Sequence, residues 1–236
     1  ITQTFNDPEG RFVLRGLSGG EPTLTASPSE GLIVLAGVTV AVVEGRGRLA
    51  GPQRVEVTGR DGARSELAAP HVILATGARP RVLPGLEPDG LRVWNYRDAM
   101  MPSALPASIL VVGAGAIGVE FASFYRSLGS EVTLVEVADR VLPNEDHEIC
   151  ALAQRAFERR GMRVHTGTAV ESLRFGDDGV TATLRGPGGT SEARVERVIS
   201  AVGIEANAED LGLEGTGVKL DRGHVVVGPW LETGEP

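Results

Sequence analysis

The sequence predicts an α/β protein built on a parallel sheet. Between residues 109 and 165, short apolar runs of strand length alternate with amphipathic stretches of helix length. A glycine turn joins the first of those runs to the first helix, and the 32 glycines mark many further turns. Aromatic residues make up only 4% of the 236, so the core must rest on Val, Leu, Ile and Ala. With 42% hydrophobic and 23% charged residues, the composition is that of an ordinary globular chain of one large or two modest domains.

Residues 1–30 mix Gly, Pro, Ser, Thr and charges without clear period, apart from the apolar run Phe12 to Leu14. The longest apolar stretch, Gly31 to Val43, is shorter than the roughly 20 residues a bilayer requires. Rich in β-branched residues, it reads as buried structure ending in a strand from Val38 to Val43. Gly45 and Gly47 break that strand, and Arg54 to Thr58 alternates before a turn at Asp61-Gly62, which together suggest a small antiparallel layer. Val72 to Leu74 reads as a compact buried strand ended by the small residues and proline of the 75–80 segment. Pro84, Pro88, Pro102 and Pro106 follow, and a stretch so rich in residues without a backbone donor is the best candidate for a linker.

Beyond it, Ile109 to Val112 is a continuous apolar strand and 113–118 a glycine turn. Ile117, Phe121, Phe124 and Leu128 then mark a helical face ended by Gly129. Val132 to Val135 is the next strand, Asp146 to Arg160 a second helix closed by Gly161, and Arg163 to His165 a third strand. From Ala169 to Arg185 and from Ala193 to Val202 strand character returns, with turns at 176–179 and 186–189, so a β-meander is the simplest reading. No internal repeat of solenoid length is present.

The net charge of −8 argues against a nucleic-acid partner or an anionic membrane surface, both of which an acidic surface repels. A small ligand is the better expectation. Cys150 is the sole cysteine, which excludes an intrachain disulfide, a Cys-based zinc site and a dithiol redox centre within these residues. His71, His147, His165 and His224 lack metal-ligand spacing, and no metal site is expected. His147-Glu148 with Cys150 reads as the start of an ordinary helix rather than as a nucleophilic site. The chain opens at Ile1 with no visible targeting signal, is expected to be cytoplasmic, and reads as an internal piece of something longer.

A bare GxGxxG says little, since chance alone supplies roughly 0.6 matches in a chain so rich in glycine. Here Gly113, Gly115 and Gly118 follow an apolar strand directly, open an amphipathic helix, and precede a second strand that ends in an acid, Glu136. The first glycine suits the tight turn, the second lets backbone approach a pyrophosphate, and the third lets helix and strand pack closely. The helix N-terminus then faces the phosphates with its unsatisfied N–H groups. Glu136 is placed to accept hydrogen bonds from the adenosine ribose and to repel the extra phosphate of NADP, so NAD is the expected cofactor.

The run from Val112 to Tyr125, VGAGAIGVEFASFY, with Leu134-Val-Glu136 and Asp139-Arg-Val-Leu-Pro143, closely resembles dihydrolipoamide dehydrogenases, which are class I flavoprotein disulfide reductases. The resemblance extends from about Gly37 to Pro236, and Ser200 to Asn207 with Leu211-Gly-Leu213 fits the return from the family's NAD domain. It implies a Rossmann-like NAD(P)-binding domain with a β-meander, inserted in a partial FAD-binding Rossmann-like domain. On that basis 1–37 is a poorly matched segment, 38–100 part of the FAD domain, 101–205 the NAD domain and 206–236 the return to the FAD domain. NAD would be lined by Gly113, Ala114, Gly115, Ala116, Ile117, Gly118, Val119, Glu120, Glu136, Val170 and Gly203. FAD would be contacted by Gly47, Thr76, Gly77 and Ala78. Glu120 has a possible supporting role near nicotinamide and flavin, although the lysine that pairs with it in the family has no counterpart here.

The departures carry equal weight. The family's first FAD-binding glycine motif and its CxxxxC disulfide should precede this region, and its catalytic His-Glu pair should follow it; none is present in these residues. The resemblance therefore implies the NAD-binding portion of an enzyme that passes electrons from dihydrolipoamide through a disulfide and FAD to NAD. Its family partners are NAD/NADH, a second copy of the enzyme in a homodimer, and a 2-oxo acid dehydrogenase complex. Two other readings stand beside it: a standalone NAD-binding or regulatory module without redox activity, and a piece of another flavoprotein disulfide reductase.

Overall fold

The computed structural model describes residues 42–235 in full and, before them, the backbone of five strands. Its chain contacts divide into two units, residues 1–75 with 208–236, and residues 76–207.

In the first unit, β1 (Gln3–Asn6), β2 (Phe12–Arg15) and β3 (Thr23–Ala26) form one antiparallel sheet, so the Phe12 to Leu14 run does lie on a strand. The long apolar stretch is a hairpin of β4 (Leu32–Leu35) and β5 (Val38–Ala41). Whether its residues 31–41 are buried, and the expected poor match of 1–37, lie outside the described residues. A third antiparallel sheet holds β6 (Arg46–Leu49), β7 (Arg54–Thr58) and β8 (Arg64–Ala68), the small layer expected from the alternation at 54–58. Val72 to Leu74 departs from expectation: it forms no strand, and Ile73 is 88% exposed. An apolar triplet has no alternation to fix a register, and a buried strand exists only where neighbouring strands satisfy its backbone.

The second unit opens with β9 (Ala78–Pro80), followed by β10 (Val93–Trp94) and α1 (Tyr96–Met100). The stretch read as a linker thus supplies an edge strand and a helix, with Leu86, Val93, Trp94 and Ala99 buried. Its prolines flank these elements without interrupting either, which is where proline is tolerated. Next come β11 (Ser108–Val112), α2 (Ala116–Leu128), β12 (Glu131–Val135), α3 (His147–Arg159) and β13 (Arg163–His165). The meander consists of β14 (Ala169–Gly176), β15 (Gly179–Gly186) and β16 (Gly189–Val195). Then β17 (Arg197–Ser200) leaves the meander, and β18 (Ile204–Ala206) pairs with β9. Back in the first unit, β19 (Leu220–Asp221) and β20 (His224–Val225) form a small hairpin.

The central sheet is parallel throughout, in the order β10-β17-β11-β12-β13. Reading 193–202 as a single continuation of the meander therefore needs correction, because β17 is inserted between β10 and β11 in the parallel sheet. Its residues 198–200 are all buried, which an apolar run satisfies only where both faces are covered.

Side-chain alternation explains the layers. From β11, Ile109 and Val111 point into a core with Val119, Ala122 and Tyr125 of α2, while Leu110 and Val112 point into a second core with Val180, Ala182 and Leu184 of the meander. Helices cover one face of the sheet and the meander the other.

The helical period over 116–128 is as expected, but the buried face is not. Gly118, Val119, Ala122 and Tyr125 are buried; of the expected face only Phe121 packs partly against the core, whereas Ile117, Phe124 and Leu128 are 38%, 51% and 51% exposed. Gly118 and Ala122 let the helix approach the sheet closely, while Tyr125 fills the core and donates its hydroxyl to Ala99 O at 2.8 Å. Gly129 at φ 108° ends the helix as its spacing suggested. Among the described residues no helix is long and apolar enough to cross a membrane, and no group of three or more His, Cys, Asp or Glu could hold a metal ion.

Candidate dinucleotide site

The candidate site lies at the carboxyl ends of the parallel strands. There β11 has β12 on one side and β17 on the other, so the chain runs away from β11 in both directions and leaves a crevice at the strand ends. Gly113 occupies that point with φ 99°, and a Cβ on it would meet the Ala201 carbonyl. A Cβ on Gly118 would meet the Gly113 carbonyl. Both glycines are therefore required by close backbone approach within the fold. Gly115 differs: a Cβ there has nothing within 4 Å, so its glycine serves the open space beside the turn.

That open space adjoins the start of α2. The N-cap, Gly115, offers no side-chain hydrogen bond, and the first turn contains no acidic residue. The other helices are closed: Asn95 and Asp98 form a capping box on α1, and Asp146 accepts from the Glu148 and Ile149 amides of α3. The first amides of α2 are left for a ligand, and the helix dipole favours an anion.

Glu136 follows β12 directly and is 8% exposed. Its Oε2 accepts from the Ala114 N–H at 2.7 Å and its Oε1 from the Ala138 N–H at 2.8 Å. Its own backbone N–H donates to His165 O at 2.9 Å, and its carbonyl accepts from Thr168 N at 2.8 Å. A carboxylate has about four acceptor positions, so this one is locked in place with half of its capacity still available. The glycine turn is held from a second side by Leu142, whose N–H donates to Ala114 O at 2.8 Å. Cys150, 1% exposed, donates its thiol to Leu142 O at 3.1 Å and so steadies the same segment.

A cavity of ≈ 460 Å³ brings these parts together: Gly113 and Gly115 from the turn, Glu136 and Val137 after β12, Val170 of β14, and Ala201, Val202 and Gly203 after β17. Among the sequence-derived NAD residues, Gly113, Gly115, Glu136, Val170 and Gly203 line it. Ala114 is fully buried behind the turn, and Gly118 and Val119 are buried against the sheet. Ala116, Ile117 and Glu120 are exposed on α2. Sequence reasoning missed Arg81, Leu83, Leu86 and Thr168, which add to the lining from segments with no motif of their own, and it did not assign Pro143 or Val202 of the family-like segments to the site.

The residues present fit a dinucleotide, because the backbone approach at Gly115, the open helix start and the fixed carboxylate converge on one cavity. The residues expected to contact FAD are divided between the two units, Gly47 in the first and Thr76, Gly77 and Ala78 in the second. Gly47 is exposed in the middle of β6, paired with Val57. Thr76 and Gly77 are exposed, and their carbonyls accept from the Asn207 side chain and backbone at 3.0 Å each. Ala78 is half-buried in β9.

The glycine turn at the switch point of a parallel sheet, with helices on one face and a meander on the other, defines a Rossmann-like α/β unit. Comparison with known proteins gives its family. The profile described as "Pyridine nucleotide-disulphide oxidoreductase" matches residues 7–236, and the chain belongs to that family. The resemblance read from the 112–143 motifs is borne out. A dihydrolipoyl dehydrogenase of Rhizobium etli is 49% identical over 166 residues, covering 70% of this chain and 34% of the relative. That of Zymomonas mobilis is 44% identical over 189 residues, covering 80% and 41%. Among solved structures, LpdA from Mycobacterium tuberculosis matches with a TM-score of 0.67 at 37% identity, covering 78% of this chain and 41% of that one. The HOCl-induced flavoprotein disulfide reductase RclA from Escherichia coli matches with a TM-score of 0.66 at 25% identity, covering 81% and 43%. The chain thus spans less than half the length of these relatives.

Proposed function

We propose that residues 76–207 bind NAD(H), and that the chain is the NAD-binding portion of an oxidoreductase of the dihydrolipoamide dehydrogenase type. The observation that carries this reading is the single cavity in which an uncapped helix start, Gly115 and the buried Glu136 meet. The diphosphate is placed at the first amides of α2 and the adenosine ribose at Glu136, whose remaining acceptor positions suit two hydroxyls and repel a 2′-phosphate. Val170 and Gly203 wall the same cavity. Bound NAD supplies the hydride acceptor; the chain's own residues bind it, orient it and select it over NADP.

In the whole enzyme the reaction would convert dihydrolipoamide and NAD to lipoamide and NADH through FAD and a disulfide. The dehydrogenase relatives motivate that assignment. The partition expected from sequence, 38–100 for the FAD domain, 101–205 for the NAD domain and 206–236 for the return, is proposed with the NAD-binding unit widened to 76–207, because those residues form one unit and Arg81, Leu83 and Leu86 line its cavity. With Cys150 the sole cysteine, this polypeptide by itself cannot exchange a dithiol with a substrate, and no lipoamide turnover is expected from it.

The test is thermal protection. A ligand that binds only the folded state raises the melting temperature in proportion to ln(1 + [L]/Kd). NADH is expected to raise it and NADPH, at equal concentration, to raise it less. Protection by NADPH equal to or greater than that by NADH would overturn the assigned role of Glu136, and no protection by either would overturn the binding reading itself.

A further inference from the structure

The cavity of residues 76–207 is walled mostly by apolar side chains and glycine backbone, and its lining includes two charged side chains, Glu136 and Arg81. Glu136 is held by two backbone amides and faces the position assigned to the ribose. Arg81 has no such employment. Its guanidinium is exposed and makes no ion pair among the described residues, whereas Arg79, two positions earlier, pairs with Glu205 at 3.0 Å.

Its backbone, however, is fixed. The Arg81 N–H donates to Gly203 O at 2.9 Å, in the segment that follows β17. Two residues before Gly203, the Ala201 carbonyl packs so close to Gly113 that a Cβ there would clash with it. A short path of backbone contacts therefore ties Arg81 to the glycine turn, on the wall of the cavity into which that turn opens. A dinucleotide's diphosphate carries two negative charges, while a helix N-terminus offers the equivalent of about half a positive one. The planar guanidinium fork matches phosphate oxygens and forms charge-assisted hydrogen bonds with them.

We propose that Arg81 is the cationic contact for the dinucleotide's diphosphate, supplying charge that the start of α2 cannot. This rests on the dinucleotide reading above and adds a residue outside the glycine motif to the site. With Glu136 repelling phosphate at one part of the cavity and Arg81 attracting it at another, the pair also fixes which way round the cofactor lies.

The experiment compares the full 236-residue chain with its Arg81→Ala and Arg81→Lys variants. Binding of NADH, ADP-ribose and adenosine is measured by calorimetry at low and high salt. In Arg81→Ala, affinity for NADH and for ADP-ribose is expected to fall by roughly 5- to 20-fold, the range of a partly screened charge-assisted contact. The salt dependence of binding should flatten, adenosine should bind all three proteins alike, and Arg81→Lys should recover part of the loss. A merely structural role would lower all three ligands together and leave the salt slope unchanged, which overturns the proposal. Unchanged ADP-ribose affinity and slope in Arg81→Ala overturns it as well, and a loss confined to NADH does so by moving the contact to the nicotinamide end. If the unmodified chain binds none of the three, the dinucleotide reading fails first and takes this inference with it.

Discussion

At the scale of single residues, the three glycines of the turn do different jobs although the motif treats them alike. Gly113 and Gly118 are fixed by close approach of backbone to backbone, while Gly115 faces empty space at φ −69°, a conformation any residue can adopt. Gly118→Ala is therefore expected to destabilise the fold by about 1–3 kcal/mol, the usual cost of overpacking. Gly115→Ala should leave the melting temperature where it is and still weaken NADH binding by roughly tenfold or more, because its methyl group occupies the place of the phosphate. Melting curves with and without NADH separate the two effects; a fold-destabilising Gly115→Ala would contradict this division of labour. Asp89 offers a pH prediction at the same scale. Burial pushes its carboxyl up, but the backbone N–H groups of Val93, Arg92 and Leu91, 2.7–2.8 Å from Oδ1, outweigh this and hold it below the ordinary carboxylate value. A depressed pKa means stability present above the unfolded-state value and lost as pH falls through the folded one. Amide exchange at 91–93 should accelerate relative to the neighbouring sheet as acid protonates Asp89, and Asp89→Asn should remove that acid dependence.

At the scale of elements, the two long helices are finished in opposite ways. α3 is closed by Asp146 with Glu148 in its first turn, whereas α2 starts on a glycine with neither cap nor acid. Asp146→Ala is expected to cost about 1 kcal/mol without touching cofactor affinity. Ala116→Asp, on the exposed first position of α2, should do the reverse. An acid there complements the helix dipole and raises stability by a few tenths of a kcal/mol, yet it repels the diphosphate and weakens NADH binding. Paired denaturation and binding measurements read the two signs, and an Ala116→Asp variant that binds NADH as well as the parent would remove the helix start from the site. The opposite finish of these helices was half legible in sequence. Asp146 before an amphipathic run announces a cap, but an uncapped start looks like any glycine until the space beside it is known to be empty.

For the molecule as a whole, contacts gather into two units, and the complete candidate site lies within residues 76–207. Cys150 reports on the integrity of that unit. Buried at 1% exposure and bonded to Leu142 O, it should resist thiol reagents in the native state and react only as the unit opens. NADH should slow the reaction further by stabilising the closed form. Rapid labelling of the native protein would show that the 139–145 segment does not hold the glycine turn as described. The Val72 to Leu74 triplet marks the opposite limit at this scale: its apolar character was plain, yet it forms no strand among the described residues.

Sequence alone determined the alternation of strands and helices, the glycine turn, the acid after the second strand and the family, because each is written in local spacing and residue type. Gly113, Gly115, Gly118 and Glu136 could be named from those signals, and so could the ends of α2 and α3. Only the tertiary structure decided the rest. It turned Gly118, Val119, Ala122 and Tyr125 of α2 inward in place of Ile117, Phe124 and Leu128, because Gly118 and Ala122 permit close approach to the sheet while Tyr125 fills the core and finds a partner for its hydroxyl in Ala99 O. It carried β17 out of the meander into the parallel sheet, and it brought Arg81 to the wall of the cavity. These are relations between residues far apart in the chain. Their free energies depend on what meets across the fold, and no local pattern contains that information.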